Sequence, residues 1–150
     1  VALILQFFLA LFGFWLASLA AAAVLVFGAA APELPPPDSL GILTVFILTV
    51  SAFVATFAFV PAIVIIVVAE ALGLRSFLFH ALAGALVALF CGYTLGFIEP
   101  MPRFDWEMPL STNLELMAAA GIAGGLVYWL IAGRTSGAWH NPPVAGPAAR

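Results

Sequence analysis

Four apolar stretches, residues 2–31, 40–69, 76–98 and 114–132, occupy most of this 150-residue chain. A helix needs roughly 20 apolar residues to cross a hydrocarbon core about 30 Å thick, and each stretch meets that length. Lipid offers no water to bare amides, so such a segment must close its backbone hydrogen bonds on itself. The pattern predicts an all-α fold, a four-transmembrane-helix antiparallel bundle forming one polytopic domain over residues 1–134. The remaining residues, 135–150, read as a Gly/Pro/Ala-rich tail.

Composition excludes the soluble alternative. Hydrophobic residues make up 65% of the chain and charged residues 7%, with no lysine, which is too little charge to hydrate a soluble surface. The net charge of −3 comes from scattered acids, and no basic run could track a phosphate backbone, so nucleic acid is not an expected partner. Cys91 is the only cysteine, which removes internal disulfides and cysteine metal sites from consideration. The alanines before Pro32 resemble a signal-peptide cleavage site. A basic leader and a short apolar core are both missing, so the first stretch is expected to be a retained helix.

Four crossings place both termini and the 70–76 turn on one side. Arg75, Arg134 and Arg150 fall there, against Arg103 alone on the other side, where Glu33, Asp38, Glu99, Asp105 and Glu107 gather. By the positive-inside rule the termini are cytoplasmic. Tyr128, Trp129 and Trp139 fall where a cytoplasmic aromatic belt is expected, and Trp106 at the opposite interface. Thr112 and Glu115 have capping-box spacing at the start of the fourth helix. Arg134 follows its end, where a cation suits the helix dipole.

Helices in lipid associate through close backbone approach and hydrogen bonds, because tails are as apolar as leucine. Gly84, Ala88, Gly92 and Gly96 recur at four-residue steps on the third helix and form the best-defined packing stripe. The fourth carries Gly121 and Gly125 with Gly124 beside them, and the first repeats the theme with Gly13, Ala17 and Ala21. Such faces close the bundle on itself or dock it on another protein.

Intramembrane charge usually carries function, and here every Asp, Glu and Arg lies at a segment end or in a loop. This argues against a proton relay, an ion-coupled carrier or a voltage sensor. His80 is the only histidine inside a segment. It is expected to serve as a hydrogen-bonding side chain and is a weak haem candidate, since a bis-histidine site needs a second intramembrane histidine and His140 lies in the tail. Glu70 and Arg75 flank the second turn and could pair across it, with His80 joining them. Thr44, Thr49, Ser51 and Thr56 can bond their own helix carbonyls and do not align as a pore lining. Pro61 deprives the Phe57 carbonyl of its helical partner, with Thr56 near enough to help, and reads as a packing kink or a gating hinge. No nucleophile–base pair, phosphate loop or metal spacing is present, so no catalytic residue, metal ligand or cofactor is predicted. A bound lipid is compatible with the composition.

Loop 99–111 alternates acids with Met101, Phe104, Trp106 and Met108 between prolines. Aromatic residues beside charges suit either a grip on a neighbouring subunit or an anchor in headgroups. The tail beyond Thr135 should fray unless something lies against it.

The stretch ELMAAAGIAGGLVYWLIAGR, from Glu115 to Arg134, resembles the last membrane segment of small, uncharacterised four-helix inner-membrane proteins of alphaproteobacteria, whose hairpin layout is also similar. The resemblance implies a bacterial inner membrane and no activity. The expected function is a non-catalytic accessory or scaffold subunit of a larger inner-membrane complex, such as one in electron transport or photosynthesis. The expected partners are membrane lipids and other integral membrane subunits. The alternatives are a small oligomeric channel or carrier for a neutral or apolar solute, and a membrane anchor holding haem through His80.

Overall fold

A computed structural model describes residues 2–29, 40–96 and 112–135. It contains α1 (Ala2–Ala29), α2 (Leu40–Leu72), α3 (Phe77–Thr94) and α4 (Thr112–Ile131), the last running into a 3-10 turn, Gly133–Thr135. No strand occurs among the described residues. All four helices are long and apolar enough to cross a membrane, so the chain is a multi-pass membrane protein with the expected all-α, four-helix architecture.

Glycine sets two of the helix ends. α2 runs past residue 69 to Leu72 and stops at Gly73, whose φ of 61° is the left-handed conformation that glycine adopts at least cost. The Gly73 amide donates to the Glu70 carbonyl at 3.3 Å and the Leu74 amide to Ala69 at 2.9 Å, a Schellman closure. α3 stops at Thr94, four residues short of the apolar run, because Gly96 at φ 74° turns the chain and donates to the Tyr93 carbonyl. Gly96, expected on the packing stripe, is a helix terminator: among the described residues it is exposed and a Cβ built on it would meet nothing.

The helices do not pack in chain order. α4 is the pivot, held closely by α3 on one face and by α1 on another. α2 leans on α1 and touches α3 least of the neighbouring pairs. The interior is built from small residues, with Ala17, Ala21, Ala22, Ala69, Ala81, Ala83, Ala120 and Ala132 all buried. Leucine, isoleucine, valine and phenylalanine face outward, as at Phe7, Phe12, Ile42, Val60, Leu86 and Phe90. This inside-out arrangement suits lipid, where large apolar side chains gain nothing from leaving the surface and small ones let backbones meet. Tyr128 is corrected from a belt residue to a core residue, packed with Ala17 and Ala132 under Ile66.

Candidate functional site

The α3–α4 seam joins Gly84 and Gly121 backbone to backbone. A Cβ on Gly84 would strike the Gly121 carbonyl oxygen, one on Gly121 would strike the Gly84 oxygen, and one on Gly125 the His80 oxygen. Ala88 packs on Gly121, with its Cβ 2.7 Å from where a Gly121 Cβ would stand. Gly124 looks the other way, onto the Ala17 carbonyl oxygen and the Ala21 Cβ of α1, while Gly13 of α1 faces Tyr128, Ile131 and Ala132. The two glycine faces of α4 are thus both used within the chain. Gly92 is buried and lines the cavity described below.

At the end of the bundle where α1 begins and α2 ends, Gln6 gathers three segments. Its amide nitrogen donates to the Glu70 carboxylate at 3.0 and 3.2 Å and to the Thr135 carbonyl at 2.9 Å. Trp129 Nε1 donates to the Arg75 carbonyl at 2.7 Å and so fastens α4 to the α2–α3 turn. Arg134 turns back on its own helix, donating through Nε and Nη2 to the Leu130 carbonyl at 2.9 and 2.6 Å, with its guanidinium over the Trp129 ring. A cation at that terminus meets the unpaired carbonyls of the last turn. The Gln6 link escaped the sequence reading, although a single amide in an otherwise apolar run was its visible signal.

His80 is 3% exposed and stands in this same region. Its Nδ1 lies 2.9 Å from the Ser76 carbonyl oxygen, an acceptor, so Nδ1 donates. The ring stacks on Tyr128 with centroids 5.8 Å apart and meets Phe79 edge-on. Nε2 is buried, has no hydrogen-bond partner among the described residues, and faces Gly133, where an added Cβ would lie 2.8 Å from it. Two expectations are corrected here. His80 bonds the start of its own helix rather than joining Glu70 and Arg75, and the Gly133 backbone occupies the approach a haem iron would need at Nε2. Among the described residues no group of three or more His, Cys, Asp or Glu side chains could hold a metal ion.

Thr44, Thr49 and Thr56 donate to the carbonyls of Leu40, Val45 and Ala52, four residues back, as such hydroxyls do in apolar helices. Thr56 therefore does not serve the carbonyl that Pro61 leaves open at Phe57. Cys91 does, reaching across from α3 with its thiol 3.7 Å from the Phe57 oxygen. The contact is weak by its length, but it lies where α2 and α3 otherwise meet least. Cys91→Ala is expected to destabilise the bundle by about 0.5–1 kcal/mol, the range of a net hydrogen bond. In a Pro61→Ala background, residue 61 supplies its own amide to Phe57 and the same change should cost nearly nothing. A double-mutant cycle in mixed micelles measures the difference, and equal costs in both backgrounds would remove the assignment.

Between α2 and the other three helices lies a cavity of about 590 Å³. All four helices line it: Ser18 and Ala21 from α1, Ala58 and Ala62 from α2, Val87 and Gly92 from α3, Met117 and Gly124 from α4, among others. Phe104 and Trp106, proposed above for a partner grip, lie outside the described residues, as do Trp139, His140, the 136–150 tail and the side chain of Thr112.

Fold and site together define a polytopic membrane protein with a three-helix core sealed by glycine and a fourth helix set apart by an apolar void. No protein-family model, no curated protein and no solved structure matches the chain.

Proposed function

We propose that this protein is a non-catalytic accessory subunit of a larger bacterial inner-membrane complex, with both termini in the cytoplasm, and that it meets its neighbours through α2. The observation that carries this reading is the state of α2 itself. Among its 33 residues only Ser51 and Ala69 are buried, although a helix of that length is about 50 Å long at ~1.5 Å per residue. Val60, Val64 and Val67 form one face at helical spacing that is exposed among the described residues. Its inner side is used and its outer side is free, which suits a lateral interface between membrane subunits.

Extraction of native membranes in mild detergent, followed by size separation and mass spectrometry, tests the reading. Co-migration with a defined larger complex, lost on Val60→Trp/Val64→Trp without loss of helical signal, is the expected result. Migration as a small homo-oligomer would overturn it and favour a carrier of apolar solute, the reading that the cavity supports.

A further inference from the structure

We infer that the cavity is a binding site for one hydrocarbon tail, the acyl chain of a membrane lipid, admitted sideways between α2 and α3. The inference rests on the cavity alone and stands whether or not the protein joins a complex.

Its chemistry selects the guest. Three of the polar side chains on its wall are engaged: Ser18 donates to the Phe14 carbonyl at 2.9 Å, Thr49 to Val45, and Cys91 to Phe57, while the rings of His80 and Tyr128 stack on each other. The unpartnered Nε2 of His80 faces Gly133. A guest with several polar groups or a charge would lose its water and find few partners on a wall that is almost entirely apolar, at a cost of several kcal/mol. A hydrocarbon loses nothing.

Its dimensions select the guest further. The lining follows α3 from His80 to Leu95, about 22 Å at ~1.5 Å per residue. A volume of 590 Å³ spread over that length is a long, thin space, the shape of an extended chain. Roughly 150 Å³ already admits a benzene-sized guest, so one hydrocarbon tail has ample room. Glycine and alanine of α3 and α4 make the inner wall nearly bare backbone, which a thin, extended chain can follow. The side entrance is the α2–α3 boundary, the loosest between neighbouring helices, spanned by the Cys91–Phe57 contact.

The test uses the full chain in phosphatidylcholine vesicles doped with a phosphatidylcholine that carries a diazirine at mid-chain. After illumination, mass spectrometry of peptides locates the adducts. Adducts should concentrate at Ala58, Ala62 and Val87, which line the cavity, over the outward residues Val60, Val64 and Leu86. Ala58→Trp takes up room for more than two methylenes, so cavity adducts should fall more than about tenfold while outward adducts persist. Equal labelling of both sets, or no effect of Ala58→Trp, would mean ordinary surrounding lipid only and overturn the inference. Should that variant fail to fold, native mass spectrometry of the unaltered chain decides. One phospholipid retained per chain through detergent exchange supports the site, and its complete loss rejects it.

Discussion

Gly125→Ala should cost about 3 kcal/mol or more, the upper end for a methyl group forced into a packed interior. The added Cβ would meet the His80 carbonyl oxygen, with the His80 carbonyl carbon and Ala81 Cα close behind, and none of these atoms can rotate away. Gly84→Ala and Gly121→Ala should be comparable, since each would strike the other's carbonyl oxygen. Gly124→Ala is the control on the same helix. Its Cβ would stand 3.1 Å from the Ala17 oxygen and 3.5 Å from the Ala21 Cβ, so a shift of a few tenths of an ångström suffices and the cost should stay below about 1 kcal/mol. Helical signal followed through a dodecyl sulfate titration gives the ranking. A Gly125→Ala loss as small as that of Gly124→Ala would show that α3 and α4 do not meet along this seam.

His80 supplies the second large effect, and its direction depends on the replacement. His80→Ala removes a ring that fills the space between Tyr128, Phe79 and Gly133, and should cost about 2–4 kcal/mol in lost contacts and cavity. His80→Phe keeps an aromatic ring. It loses the bond from Nδ1 to Ser76, worth about 0.5–1.5 kcal/mol, but also abolishes a buried, unpartnered nitrogen whose desolvation costs about 1–3 kcal/mol. The two nearly offset, so His80→Phe should lie within about 1 kcal/mol of the native chain in the same titration. A loss for Phe equal to that for Ala would mean that Nε2 has a partner and that the histidine is held for its nitrogen.

These cases show which parts of the molecule were legible in the chain. The spans were, because apolar length is a property of a single segment and lipid leaves the backbone one way to satisfy itself. The small-residue stripe of α3 was legible as far as Ala88, which packs on Gly121, while Gly92 is buried on the cavity wall. Gly96 extends the four-residue step on paper, but a glycine near a helix end can also stop it by turning left-handed, and spacing cannot distinguish the two roles. Tyr128 and Trp129 are neighbours in an expected belt, yet successive helical residues point about 100° apart, and one of them had to face inward. The Cys91 contact had a visible cause in the open Phe57 carbonyl. Its donor lies 34 residues away and appears only once two helices are set in register. The cavity had no sequence signal, since a void belongs to the space between helices.

The order of packing bears on how the protein is made. Membrane spans enter one after another as the chain is synthesised, and here the first span finds its closest companion in the last. Until Gly124 arrives, the Ala17 face of α1 lacks its closest cover and has only the partial shelter of α2. The α3–α4 hairpin, by contrast, contains its own glycine seam and can zip as soon as both halves are inserted. The contacts favour an order in which a preformed α3–α4 hairpin docks onto a waiting α1–α2 pair, and a chain that ends before Thr112 holds three spans, of which α1 and α3 both lack their main partner.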